Sequence, residues 1–253
     1  MKTFALRLPL RPALSAPALL LTCALLAVPL PGILTATAQE APKADPGEIT
    51  ADQIIKKVQD SRALRDAVLQ GELTKDDKTV PFTVTLKSDL ISFQFTNPVQ
   101  TVSLNINDKG SQLTETAAGS NRLVPVPDKR YNEGIRGTDL TYDDISFRYL
   151  YWEKRVKQPI EETVKTRKCH VVDLYAPKKI GDYGLVRIFA EKESGALLKI
   201  YCYDWEGKMI KECAVTAGMK VNGSTMLKSM EVIRYVAGTK KVTGETTFEL
   251  KKP

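Results

Sequence analysis

Histidine is almost missing from this chain. His170 is the single one among 253 residues, and that scarcity closes several kinds of chemistry. No second histidine exists to complete an ordinary zinc set, and a Ser-His-Asp relay could be built only through His170. Cys169 is its neighbour, but adjacent side chains on a strand point to opposite faces, so the two are not expected to share a metal. Neither a GxGxxG nor a P-loop occurs. Beyond the short QEAPKADPGE at 39–48 there is no Pro/Ser/Gly-rich linker, and no internal repeat is evident. The basic side chains are scattered among acids rather than clustered, which argues against a nucleic-acid partner. No metal and no cofactor are expected.

Charge is also absent from Pro12 to Ala38. Lys2, Arg7 and Arg11 precede that run as a basic n-region, and Ala36-Thr37-Ala38 closes it as an A-x-A site, so a signal peptide over 1–38, cleaved after Ala38, is predicted. A retained anchor is the rival, because the run could span a bilayer of about 30 Å; Pro17, Pro29, Pro31 and Gly32 argue against it. Lipidation at Cys23 is a third reading, but Leu20-Leu21-Thr22 is a poor lipobox. Residues 1–38 hold three basic and no acidic side chains, so cleavage takes the formal net charge from +7 to +4. A tether at 39–48 and a single domain over 49–253 are expected to remain. Three cysteines remain in it, Cys169, Cys202 and Cys213, and in an oxidising compartment a pair could close. Cys202 and Cys213 flank the Glu206-Gly207 turn diagonally on one face; Cys169 with either is the alternative, and the pairing stays open.

Local grammar is clear at Thr50. It reads as an N-cap with Gln53 as capping-box partner and Ile49 and Ile54 as a hydrophobic staple. The helix should run to about Arg62 with Ile54, Ile55 and Val58 on one face. After Gly71 the period becomes two. In VPFTVTLK, Val80, Phe82, Val84 and Leu86 share a face; Ile91, Phe93 and Phe95, then Val102, Leu104 and Ile106, continue the pattern. Longer strands come next at about 165–176, 183–191, 195–204, 208–217, 225–236 and 241–250. Roughly ten strands with short hairpins and few helices predict a mainly β fold, one large curved antiparallel sheet or a barrel.

The stretch RGTDLTYDDISFRYLYWEK at 136–154 crowds acids against aromatics. With Thr141 as N-cap, Asp144 falls at the third helical position and Leu140 and Ile145 at the staple positions. Asp143 and Asp144 then occupy a first turn, where carboxylates meet free backbone N–H groups. An acid/base pair would need both to face one substrate about 5–10 Å apart, whereas helix neighbours diverge by about 100°. Phe147, Tyr149 and Tyr151, with Tyr142 and Trp152 on the opposite face, are expected to pack a core.

A family resemblance enters through the same residues. Gly137, Thr138, Asp139, Leu140, Thr141, Tyr142, Asp143, Asp144 and Ile145 resemble the G-[ST]-D-[LF]-[ST]-Y-[ED]-D-[LI] signature of a branch of the outer-membrane lipoprotein-sorting (LolA-like) proteins. The run from Cys169 to Lys178 is similar to the next strand of that branch, and Tyr183–Ala190 and Tyr203–Lys208 match in kind its tyrosine-started strand and its YxxxGK hairpin. The resemblance implies an open, strongly curved antiparallel sheet, an incomplete LolA/LolB-like β-barrel with a few covering helices, whose apolar concavity binds acyl chains. It implies a non-enzymatic periplasmic carrier or sensor with an acylated lipoprotein or a lipid as ligand, and a monomer is expected. The alternative is an envelope protein–protein interaction module on the same sheet. Candidate lipid-binding residues, taken from helix and strand periodicity, are Ile54, Val58, Phe82, Val84, Leu86, Val102, Leu104 and Ile106. Gly137, Asp139, Thr141, Tyr142 and Asp144 are read as a structural motif.

Overall fold

The computed structural model describes residues 48–61, 66–117, 119–221 and 223–251. The expected signal peptide, its cleavage site, Cys23 and all of the tether but Glu48 lie outside the described residues. Helix α1 (Ala51–Ser61) starts as expected. The Thr50 N–H donates to Gln53 Oε1 at 2.8 Å and the Gln53 N–H donates to Thr50 Oγ1 at 3.2 Å, which satisfies two of the donors that a helix start leaves free.

Thirteen strands succeed it: β1 (Ala67–Lys75), β2 (Lys78–Leu86), β3 (Leu90–Thr96), β4 (Val99–Asn107), β5 (Gly110–Thr116), β6 (Leu123–Pro125), β7 (Arg155–Val164), β8 (Arg167–Tyr175), β9 (Leu185–Glu191), β10 (Leu197–Tyr203), β11 (Met209–Val221), β12 (Ser224–Tyr235) and β13 (Val242–Leu250). They form one antiparallel sheet in the order β6-β5-β4-β3-β2-β1-β13-β12-β11-β10-β9-β8-β7. Two meanders, β1–β6 and β7–β13, are therefore sewn together at β1 and β13, where Gly71 faces Leu250. The sheet is mainly β, curved and open, as expected: β6 and β7 are edges and do not pair.

Two strands depart from the expectation for physical reasons. Gly71 reads as a boundary, yet it sits inside β1 opposite Phe82. The Phe82 ring lies over it so closely that a Cβ at Gly71 would meet ring Cζ at 2.4 Å; the ring supplies the side chain that the glycine lacks. β7 contains Pro159; it is an edge strand whose register shifts between Lys157 and Glu161, a setting in which a strand proline is tolerated.

Because β6 and β7 are opposite edges, the chain between them must traverse the open side of the sheet. Residues 126–154 do so as a strap containing short 3-10 turns at Asp128–Arg130, Ile135–Gly137 and Arg148–Tyr151 and helix α2 (Tyr142–Ser146). The aromatics of 147–152 are thus not on an alternating strand. Tyr149 and Trp152, expected on opposite faces, are both buried in one cluster.

The inner face carries two apolar clusters. The first joins β1–β5 to β11–β13 under the strap residues Val126, Ile135, Leu140, Tyr142 and Ile145. The second places Ile54, Ile55 and Val58 of α1 on Val172, Leu174, Val186 and Ile188, with Tyr149, Leu150 and Trp152 beside them. Full burial of each such aliphatic side chain contributes about 1.5–3 kcal/mol, enough to dock an 11-residue helix that would be marginal alone.

Candidate functional site

The inner wall of the first cluster is built by cross-strand pairs. Phe82 faces Phe95, Val84 faces Phe93 and Leu86 faces Ile91; Phe93 in turn faces Val102, and Ile91 faces Leu104. Phe82 is the hub, with ring centroids 5.6 Å from Phe93, 5.9 Å from Phe95 and 5.3 Å from Phe248. Of the residues expected to bind acyl chains, Phe82, Val84, Leu86, Val102 and Leu104 are buried in this cluster and Ile106 is half-buried against it. Ile54 and Val58 belong to the second cluster, because α1 lies over β8–β10. The structure does not bring the helical pair and the strand residues onto one surface.

The wall is not covered evenly. Phe93, Met226, Leu227, Met230, Val221 and Ile106 pack against the first cluster while remaining only partly buried, whereas Phe82, Val102, Phe248 and Met219 are closed off. The apolar face therefore emerges from under its cover towards the β11–β12 end.

Around the strap stands a set of acids, each with its own cation. Asp139, 2% exposed, accepts from Lys75 Nζ at 3.0 Å and from Thr246 Oγ1 at 3.1 Å, while its own N–H donates to Thr246 Oγ1 at 2.9 Å. That ties the strap to β1 and β13. Asp143 receives Arg148 Nε and Nη2 at 2.6 and 2.7 Å, and Arg148 also donates to the Ile180 carbonyl at 2.8 Å. Asp144 caps α2, its Oδ2 accepting from the Thr141 N–H at 2.7 Å and Thr141 Oγ1 at 2.8 Å. The same oxygen accepts from Lys211 Nζ of β11 at 2.7 Å, and Oδ1 accepts from Tyr183 OH at 2.6 Å. Tyr142 OH donates to Glu115 at 2.8 Å, and Arg130 reaches the same carboxylate. Gly137 takes φ +78° next to Arg136 at φ 56°, a turn that favours glycine.

Electrostatics reflect burial. Burial pushes the Asp143 carboxyl up to about 6, against the pull of Arg148. Burial works to lower the Lys211 pKa, but the Asp144 carboxylate overrides it and holds the ammonium above its ordinary value. Tyr183 is pushed far up by burial and then by Asp144. The two adjacent aspartates point to different partners, and their oxygens are occupied; they form clasps rather than a carboxylate pair around a substrate. Among the described residues, no three His, Cys, Asp or Glu side chains converge where a metal could sit.

The clasp can be tested at Gly244, where a Cβ would lie 2.5 Å from Asp139 Oδ1. Gly244→Ala is expected to cost about 1–3 kcal/mol, the range for overpacking, read as a lower urea midpoint. An unchanged midpoint would show that Asp139 swings aside freely.

The three cysteines among the described residues are free and buried. Cys169 lies with Val171 and Phe189 on the outer face, whereas Cys202 and Cys213 point inward. Burial raises the pKa of all three. His170 is half-buried on β8 with no hydrogen-bond partner at Nδ1; burial, then Lys192 and Lys157, lowers its pKa. Two cavities open beside β11 and β12. One of about 440 Å3 has Thr141, Tyr183 and Lys211 among its lining, with Trp205, Arg234 and Tyr235. The other, of about 670 Å3, lies between Lys220, Lys228 and Lys251.

Lys75, Arg148, Lys211, Thr246 and Gly244 were not anticipated from the sequence. The available signal was a lysine at an inward position of a strand: Cys202 faces Lys211 and Ile200 faces Cys213, so Lys211 shares the buried side with Cys213.

A protein-family model described as an uncharacterized protein matches residues 119–252, which contain the strap and every strand from β6 to β13. The chain belongs to that family. Its fold is LolA-like. A LolA superfamily protein from Nitrosomonas europaea is 13% identical over 81% of this chain and 93% of its own, with a TM-score of 0.57. A domain assigned to outer membrane lipoprotein sorting from Vibrio parahaemolyticus is 11% identical over 78% and 89%, with a TM-score of 0.58. A DUF1329 family protein from Desulfovibrio piger is 14% identical over 80% and 90%, also at 0.58. No curated protein matches in sequence. The LolA-like resemblance of 137–145 therefore holds at the level of the fold, and those residues lie in the strap.

Proposed function

We propose that this protein is a non-enzymatic carrier of the bacterial envelope that holds acyl chains of a lipid or lipoprotein on the inner face of its sheet. The observation that carries the reading is the run of half-buried apolar side chains, Phe93, Met230, Leu227, Met226 and Val221, continuous with the closed cluster around Phe82. Apolar surface that leaves its own cover marks ligand or partner surfaces. Structural likeness to a lipoprotein-sorting domain and the predicted export signal support the same compartment and cargo. The strap is pinned to β1 and β11 by the Lys75–Asp139 and Lys211–Asp144 pairs, so the cargo enters from the β11–β12 end without the strap lifting.

The second reading, a protein-binding module, is favoured by the tight filling of the first cluster by Leu140, Tyr142 and Ile145. One experiment separates the two. The protein is isolated from the envelope of its own host and weighed intact by native mass spectrometry. An added acyl species, lost in Phe93→Asp or Met230→Asp protein that still folds, supports the carrier; a clean apo mass at every loading favours the protein-binding module.

A further inference from the structure

Separate pieces of chain meet around the cavity of about 440 Å3: the strap at Asn132 and Thr141, the β8–β9 connection at 176–184, the β10–β11 turn at 204–208 and the β12–β13 turn at 236–241. Hydrogen bonds between neighbours fix its walls. The Asp182 N–H donates to Asn132 Oδ1 at 2.8 Å, and Asn132 Nδ2 donates back to Asp182 Oδ1 at 2.7 Å. Trp205 Nε1 donates to the Gly181 carbonyl at 3.0 Å, and the Gly238 N–H donates to the Met209 carbonyl at 3.1 Å. The volume falls within the range of small-molecule sites, about 300–1,000 Å3.

Charge is unevenly committed in this lining. Lys211 and Arg234 are cross-strand partners on β11 and β12. Gly244, opposite Arg234 on β13, lies against Asp139 of the strap, so both cations stand on the strap side of the sheet. Lys211 is buried; its ammonium donates to Asp144 Oδ2 at 2.7 Å and to Thr141 Oγ1 at 3.3 Å. The guanidinium of Arg234 and the ammonium of Lys179 are exposed and have no hydrogen-bond or ion-pair partner among the described residues. The lining acids, by contrast, are engaged. Asn132 holds Asp182, the N–H groups of Glu206 and Lys208 donate to Asp204 Oδ1 at 2.9 and 2.8 Å, and Glu206 pairs with Lys208. Asp182 and Glu206 are also exposed, where salt and water screen them. The uncommitted charges of the cavity are therefore cationic. Half-buried Trp205 and Ile210 add apolar surface.

We propose that this cavity binds a small organic acid, its carboxylate paired with Arg234 beside Lys211 and its apolar body against Trp205 and Ile210. A guanidinium matches a carboxylate through two parallel N–H bonds, and apolar lining adds affinity that a bare inorganic anion cannot use. The site lies at the opposite end of the β11–β12 pair from Met219 and Met226, so it does not rest on the carrier reading.

The test titrates the isotope-labelled protein with matched probes: benzoate and benzamide, phenylacetate and phenylacetamide, hexanoate and hexanamide. Each pair shares its apolar body and differs in charge. The Trp205 indole N–H belongs to the lining, and its nuclear magnetic resonance signal, assigned through Trp205→Phe, reports occupancy. Each acid is expected to shift that signal saturably and to bind at least about tenfold more tightly than its amide, the discrimination of a charge-assisted hydrogen bond. Arg234→Gln should remove the preference; the position is exposed and unpaired, and the remaining backbone signals verify the fold. Lys228→Gln, which removes a cation that pairs with Glu249 away from the cavity, should leave it unchanged. Equal binding of acids and amides overturns the inference, as does a preference that survives Arg234→Gln or is lost in Lys228→Gln. Displacement of the acids by equimolar inorganic phosphate would make the cavity a general anion trap and overturn the organic-acid assignment. No saturable shift with any probe overturns it outright. Each of these outcomes leaves the carrier reading standing.

Discussion

Lys211→Met is expected to lower the stability of this protein by about 3–5 kcal/mol, the loss seen when one partner of a buried ion pair is removed and the other charge is left behind. The stranded group is Asp144, whose side chain is 7% exposed while that of Lys211 is 4% exposed. Thr141 and Tyr183 still donate to the carboxylate in the variant, but no cation remains to offset its burial. For a chain of this size the loss corresponds to a fall of roughly 6–20 °C in melting temperature. Asp144→Asn combined with Lys211→Met is expected to recover part of the loss, because an amide oxygen keeps the cap and the Tyr183 bond without a buried charge. A double-mutant cycle under urea measures the coupling. If the melting temperature of Lys211→Met equals that of the unmodified protein, Asp144 is satisfied without it, and the strap is not clasped through β11.

Phe82→Ala is expected to cost about 3–5 kcal/mol, the range for removing a large aromatic from a packed interior. Phe82 is 3% exposed and touches the rings of Phe93, Phe95 and Phe248, so its loss removes the hub of the inner wall. The same truncation uncovers Gly71 at the point where β1 joins β13, the seam between the two meanders. Phe82→Leu, which fills most of the space, should cost less than half as much. A urea midpoint for Phe82→Ala equal to that of the unmodified protein would mean that the wall collapses into the space, and that the four rings do not act as one packed unit.

The Thr50–Gln53 and Thr141–Asp144 caps could be read directly because their partners lie three residues apart, and a local hydrogen bond leaves a local signature. The alternation of Val80, Phe82, Val84 and Leu86 was legible for a similar reason: a strand buried on one face repeats every two residues. Lys211 is different. It lies 67 residues from Asp144, and nothing around either residue points to the other. Gly71 misled because an isolated glycine reads as a break until the ring that covers it is known. The aromatics of 147–152 misled because an alternating pattern of large side chains fits a strand, and here it serves a 3-10 turn packed between a sheet and a helix.

By itself the sequence determined the helix start, the residues that share a face in β2, β3 and β4, the mainly antiparallel fold and the resemblance carried by 137–145. Those are short-range properties: periodicity and capping are settled within a few residues, where propensity and burial agree. Only the tertiary structure decided that α1 covers β8–β10 instead of the wall at Phe82, and that Asp139 and Asp144 pin a strap across the open side. These depend on which strands become neighbours. That choice places residues far apart in sequence within a few ångströms, and only the closed set of pairings from β6 to β7 specifies it.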